Sequence, residues 1–269
     1  MGAVADSLRQ LDAGISWTSV QAAADSRPGW TRCSDLLAEP DRLRAWQQET
    51  ADAYGGDAVD EGRLTGQGLV LDWYLAAVTL PAVGVFHLDR RVLDVAPERV
   101  LFRLVTAGAP VVATAVESTR WTGLVDDPAA GEQGAAVVDD VGDLAALLYE
   151  TTVGHAERLV TAYSTTTRIG SHGLWGAVTD ALDVAFLSGG WVSGDMARAA
   201  ADARLVLGDG RSPLVGGSTL HQIDDARGRR HWTRRRWSCC FLYRSPGVRE
   251  CVTCPRVDDD ERRRQASGW

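Results

Sequence analysis

Apolar residues recur at helical spacing over residues 34–48 and 66–82, and both stretches are expected to be helices. Pro40 is expected to break the first or open its second half. Pro81 should end the second, because its ring clashes with the preceding turn and it has no backbone N–H. Beyond Arg91 the texture changes: Val92-Leu93, 100–105 and 111–116 are short β-branched runs. Turn material at Ala107-Gly108 and Pro110 separates the last two, so two or three strands are predicted. Residues 126–134, with Pro128 and two glycines, read as a loop. The helical period then returns, with Asp140 and Asp143 as capping residues ahead of Leu144, Leu147, Leu148 and Leu159. Two further helices are predicted over about 173–187 and 193–208. After Gly216-Gly217 the chain becomes short alternating segments near 220–223 and 231–237. The pattern predicts a helix-rich α+β fold: a helical body with a small antiparallel sheet, and a short C-terminal hairpin segment. The body is expected to span 1–225 and the arginine-rich C-terminal segment 226–269.

Composition adds limits to this picture. With 269 residues, 45% hydrophobic, the chain is long enough to bury a core without disulfides, and it has no low-complexity run that would suggest disorder. Residues 1–20 carry Asp6, Arg9 and Asp12 where a secretory signal needs an apolar centre. The most apolar stretch, 69–86, contains Asp72 and Pro81 and is short for a membrane span of about 20 residues. A cytoplasmic protein without a membrane span is expected. All 28 basic residues are arginine. Nine lie within 226–256 against the single acid Glu250, a local +8 that leaves −16 for the rest of a chain whose net charge is −8.

The chemistry concentrates in the same place. Four of the five cysteines, Cys239, Cys240, Cys251 and Cys254, fall within 16 residues. In a reducing compartment such clustering favours metal or redox chemistry over disulfides. Cys251-Val252-Thr253-Cys254 curls two thiolates towards one metal, and Ser245-Pro246-Gly247 is a turn that can return the first pair to the second. Four convergent thiolates hold structural zinc or an iron–sulfur cluster. Adjacent cysteines splay in extended chain, which suits a wider two-iron cluster better than one small ion. A [2Fe–2S] centre on four thiolates carries two negative charges when oxidised and three when reduced, so nearby cations matter. Arg234, Arg235 and Arg236 precede the first pair, Arg244 and Arg249 lie between the pairs, and Arg256 follows.

The run from Arg234 through Trp237-Ser238-Cys239-Cys240 and the Arg244-Ser245-Pro246-Gly247 loop to Cys251-Val252-Thr253-Cys254-Pro255 resembles the C-terminal motif of FhuF-like ferric siderophore reductases. Ser171-His172-Gly173-Leu174-Trp175-Gly176 is similar to the Leu-Trp-Gly element of that family. The surroundings of Asp72-Trp73-Tyr74 and Pro81 are compatible with it, whereas the acidic-then-basic tail over 258–264 has no place in its pattern. The resemblance implies a cytoplasmic oxidoreductase with a [2Fe–2S] cluster on the four cysteines. Such a protein passes one electron to the iron of a ferric siderophore, often a hydroxamate. It also implies a separate electron donor, such as a ferredoxin or a flavin reductase, because no dinucleotide-binding glycine loop is present. Arg234, Arg235, Arg236 and Arg244 are candidate substrate contacts, with donor docking or charge compensation of the cluster as other uses. No nucleic-acid partner is expected. Two other readings remain open: a zinc-stabilised, arginine-rich nucleic-acid binder, and an iron–sulfur redox sensor. Among the remaining candidates His155 reads as a core histidine and Cys33 as an isolated free thiol.

Overall fold

The computed structural model describes residues 2–266 apart from 26, 55–58, 105–107, 119 and 226. Val105 and Ala107, expected at a strand end and a turn, and the segment's first residue Ala226 therefore lie outside the described residues. Among the described residues eight α-helices and three small sheets make a helix-rich α+β fold. The helices are α1 (Ala3–Gly14), α2 (Cys33–Ala38), α3 (Pro40–Tyr54), α4 (Val59–Asp89), α5 (Val141–Ser164), α6 (Ser171–Ser193), α7 (Met196–Leu207) and α8 (Asp259–Ala266).

At the centre lies α4. It is apolar on nearly every side, as a helix must be when neighbours surround it. Val70, Leu71, Tyr74, Leu75, Val78, Val83 and Phe86 are all buried. It packs chiefly along α6, with α3 and α1 against other faces. Among the described residues it is the one helix long and apolar enough to cross a membrane, and 83% of its apolar window is buried inside the protein.

Pro81 does not end this helix. The chain continues in helical form to Asp89. The carbonyl left without an N–H partner is that of Ala77, four residues earlier, and Thr114 Oγ1 donates to it at 2.8 Å. A side chain from the adjacent sheet therefore supplies the hydrogen bond that proline removes.

The strands are β1 (Ser19–Gln21), β2 (Trp30–Arg32), β3 (Val92–Leu93), β4 (Val100–Leu104), β5 (Val111–Val116), β6 (Trp121–Leu124), β7 (Ala135–Val138), β8 (His221–Asp224) and β9 (Arg230–Thr233). The first sheet runs β1-β5-β4-β2, the second β3-β6-β7, and β8-β9 form a separate hairpin. Pairing is mixed where a small antiparallel sheet was expected: β1 lies parallel to β5, and β7 parallel to β6. Both parallel partners are strands of three or four residues that fall below the length at which alternation can be read. The C-terminal hairpin ends at Thr233, so the cysteines follow it in turns and one short 3-10 turn, Leu242–Arg244.

Of the two predicted capping residues Asp140 caps α5, accepting from Gly142 N and Asp143 N at 2.7 and 2.9 Å; Asp195, which was not predicted, opens α7 by accepting from Arg198 N. Asp143 donates its own N–H to Asp140 and caps nothing with its side chain in that contact.

Candidate metal centre

Two helices of the body grip the chain that leads into the cysteines. On α6, one turn apart, Asp180 and Asp183 project from an otherwise apolar surface. Asp183 accepts from Ser218 Oγ, Thr219 N and Thr219 Oγ1 at 2.6–3.0 Å. Asp180, 2% exposed, accepts from Trp237 N, Ser238 N and Ser238 Oγ at 2.8, 2.9 and 2.6 Å. From α4, Asp72 takes both terminal nitrogens of Arg236 at 2.7 Å. Burial pushes the Asp180 carboxyl upward, and the opposing pull of Arg236, Arg234 and the three donors favours its charged form. Burial likewise opposes charge on Arg236, but Asp72 and Asp180 outweigh it. Arg236 also donates its backbone N–H to Thr253 O, joining the approach to the first cysteine pair to the loop that carries the second.

Glycine makes the approach close enough. A Cβ on Gly68 of α4 would stand 2.5 Å from Cys240 O, and one on Gly176 of α6 would stand 3.3 Å from Ser238 Cβ. Gly176 closes the Leu174-Trp175-Gly176 element, which gives that short motif a structural meaning: its glycine is where α6 touches the cysteine segment. After Cys240 the backbone of Phe241 is left-handed at φ 59°, a conformation a bulky side chain adopts only where the surroundings enforce it. Thr65 Oγ1 donates to the Phe241 carbonyl at 3.1 Å and helps to hold it.

All four cysteines are free thiols. Each receives a backbone N–H from the second residue after it. Phe241 N donates to Cys239 Sγ at 3.3 Å. The N–H groups of Leu242, Thr253 and Arg256 do the same for Cys240, Cys251 and Cys254 and favour their thiolates. Contact with Cys240 draws the Cys251 thiol down, while the same contact and burial push Cys240 up. Burial raises Cys254, and Cys239 and Cys251 push it the same way. Among the described residues no group of three or more His, Cys, Asp or Glu side chains is close enough to hold a metal ion.

The donor set fits a two-iron cluster: four thiols within one short stretch, backbone N–H groups that favour their thiolates, and buried cations beside them. The Nε groups of Arg236 and Arg262 are buried without a hydrogen-bond partner. Arg236 feels the charge of Cys240, and Arg262 that of Cys251 and Cys254.

The four arginines singled out in the sequence separate. Arg234 is buried and donates to Asp180 O at 3.0 Å, and it lines a cavity of about 340 Å³ together with Arg236, Asp72 and Asp180. Leu69, Trp73, Leu80 and Val184 supply apolar lining, and Trp17, 56% exposed, stands at its open side. Arg235 is exposed and donates to Pro255 O; Arg244 lies over the Phe241 and Tyr243 rings. Neither belongs to the cavity lining. Sequence reasoning noted Asp72 as an interruption of an apolar run and as compatible with the family pattern, without giving it a role, and missed Asp180, Gly68 and Arg262. A lone carboxylate within an apolar helical face was the available signal for the first two; for the last two there was none.

His155 is in the core, 2% exposed. Its Nδ1 donates to Val95 O at 2.6 Å, so Nε2 accepts from Tyr74 OH at 2.9 Å, and burial holds the ring neutral with its pKa lowered to about 4. Burial raises the Cys33 thiol to about 12. Ser193, His87 and Asp202 stand in the order of a hydrolytic triad at 2.9 and 2.7 Å. The imidazole is wholly buried, however, and Arg90 takes both Asp202 oxygens at 2.8 Å, so the set is a latch joining the ends of α4, α6 and α7.

None of the curated proteins matches the chain. Two family models do: the one described as ferric iron reductase FhuF-like transporter over residues 69–207, and the FhuF 2Fe-2S C-terminal domain over 236–256. The second begins at the arginine that Asp72 holds, spans all four cysteines, and identifies the cofactor as a [2Fe–2S] cluster. The first covers 139 of 269 residues, from the cavity-lining turn of α4 to the end of α7. The chain belongs to the FhuF-like ferric iron reductase family.

Proposed function

We propose that the chain is a cytoplasmic ferric siderophore reductase whose cluster is held by Cys239, Cys240, Cys251 and Cys254. When bound, the cluster supplies one electron to siderophore-held Fe(III), which leaves as Fe(II). Hydroxamates and catecholates are hard oxygen donors that bind Fe(III) tightly and Fe(II) poorly, so one electron turns a held ion into a labile one. No general base or nucleophile has to touch the substrate. A separate donor, such as a ferredoxin or a flavin reductase, returns the electron to the protein.

The observation that carries this reading is a shared wall. Gly68 touches Cys240, while the next residue, Leu69, lines the cavity. Asp72 and Arg236 likewise line the cavity, and both act electrostatically on Cys240. A substrate in that cavity is therefore separated from the cluster segment by little more than one helix turn and one ion pair. The charged lining is balanced, with Asp72 paired to Arg236 and Asp180 to Arg234. The remaining surface is mostly apolar. That combination suits one face of an uncharged ferric tris-hydroxamate better than a highly anionic complex. In this reading residues 1–225 seat the substrate together with Arg234 and Arg236, and the cysteines of the 226–269 segment hold the cluster.

The test uses protein loaded with iron and sulfide, reduced with dithionite and freed of excess reductant. It is mixed with a ferric tris-hydroxamate and a chelator that colours only with Fe(II). The expected result is one ferrous chelate formed per cluster reoxidised. A cluster that stays reduced in the presence of the complex overturns the reading and leaves a redox sensor.

A further inference from the structure

The tail beyond the cysteines packs back on them. In α8, Arg262 is 1% exposed, although its helix is otherwise rich in exposed charge. Its guanidinium donates to three carbonyls of the second cysteine loop: Val252 O, Cys254 O and Val257 O, the last at 2.9 Å. The nearest carboxylate, Asp259, is 3.8 Å away and 75% exposed, so solvent screens most of its pull. Arg262 lies outside the residues that either family model matches.

One of those carbonyls leads directly to sulfur. The peptide between Val252 and Thr253 presents its C=O to Arg262 and its N–H to Cys251. A cation on the oxygen polarises the unit and strengthens the N–H···S contact at its other end. The contact to Cys254 O fixes the second thiol of the pair in the same way that a clamp fixes a turn. Buried positive charge and N–H donors at sulfur both stabilise the more negative, reduced state of a cluster relative to the oxidised one.

We propose that Arg262 is a positioning residue of the iron–sulfur site: it locks the Cys251–Cys254 turn through three carbonyls and, as the buried cation beside that pair, raises the reduction potential of the cluster. The inference rests on the cluster ligands assigned above, not on the identity of the substrate. It gives the acidic-then-basic tail a task. The acids of the first turn of α8 and the exposed Arg263 and Arg264 keep the helix soluble, while Arg262 turns inward with Ala266.

The test compares Arg262→Lys and Arg262→Met with the parent, each reconstituted with iron and sulfide and titrated potentiometrically with EPR detection. Arg262→Met should show a lower midpoint potential and faster loss of visible absorption in a chelator. Arg262→Lys should keep a midpoint near that of the parent while still losing its cluster faster, because an ammonium restores the charge but not the three-carbonyl fork. Equal midpoints in all three proteins overturn the electrostatic role. Should a variant take up no cluster, alkylation of the apo-proteins decides. Cys254, 4% exposed in the parent, should react several-fold faster in both variants, and an unchanged rate overturns the lock. Failure of the parent itself to bind iron and sulfide would instead sink the ligand assignment on which the inference stands.

Discussion

Between α4 and α6 the chain is held chiefly by apolar side chains, and buried Thr79 serves those helices by donating to Leu75 O and Ala181 O. Between Arg234 and Arg262 the proportions reverse. Val252 and Val257 are among the few aliphatic residues buried there, and the fixed points are Asp72, Asp180, Arg234, Arg236 and Arg262. Apolar contact is tolerant of small shifts, whereas hydrogen-bonded ions have one geometry. The body is therefore expected to fold by itself, with the segment held from outside by Asp72 and Asp180 of the body and by Arg262 of the tail. Cys251→Ser breaks this comparison most completely. The serine hydroxyl is a poor substitute for a thiolate, so visible absorption and labile sulfide should be lost altogether. The helical far-ultraviolet signal should stay within a few per cent of the parent, because Cys251 is exposed. A variant that keeps its absorption would show that the ligands are misassigned.

Asp180→Ala tests the junction. It removes one carboxylate that serves Trp237 N, Ser238 N, Ser238 Oγ and two buried arginines at once. Breaking a buried pair from one side costs about 3–5 kcal/mol, because the remaining charge and donors stay desolvated. The cost should fall on the segment before the body. Limited proteolysis should cut within 235–256 at protease concentrations that leave the parent intact, with the helical signal largely retained. Loss of the helical signal together with the segment would mean that the two regions fold as one unit.

What the sequence disclosed follows from how far apart the partners are. The four cysteines, the turn between the pairs and the basic flank lie within one short stretch, so their spacing alone called for a metal site, and the family resemblance narrowed zinc or iron–sulfur to a two-iron cluster. Helices α5 to α7 carry an apolar period, and α5 a capping acid as well, so they too were expected. The pairings that place the cysteines join residues 164 and 58 positions apart, Asp72 with Arg236 and Asp180 with Ser238. A single sequence holds no record of which distant charge a residue meets. Gly68 is silent for the same reason, since its role is defined by the Cys240 backbone against it. Strands β1 and β2 have three residues each and lie beside helical patterns, so no periodicity distinguishes them.

Pro81 is the sharpest example on the body side, and it also supports the smallest prediction. Read locally, proline ends a helix; here it is tolerated because Thr114, 33 residues on, donates to the carbonyl that the ring leaves unpaired. Thr114 also donates to Leu101 O at 3.2 Å, on the strand beside its own. Thr114→Val keeps the shape and removes the donor, stranding a buried carbonyl on the central helix. The expected loss is about 1–3 kcal/mol in denaturant unfolding. Pro81→Ala returns an N–H at position 81, so Ala77 O regains a partner within the helix. In the Pro81→Ala background the cost of Thr114→Val should therefore fall, and the difference between the two costs measures the coupling across 33 residues. Equal costs in the two backgrounds would mean that the hydroxyl serves the sheet through Leu101 and that α4 accommodates its proline by other means.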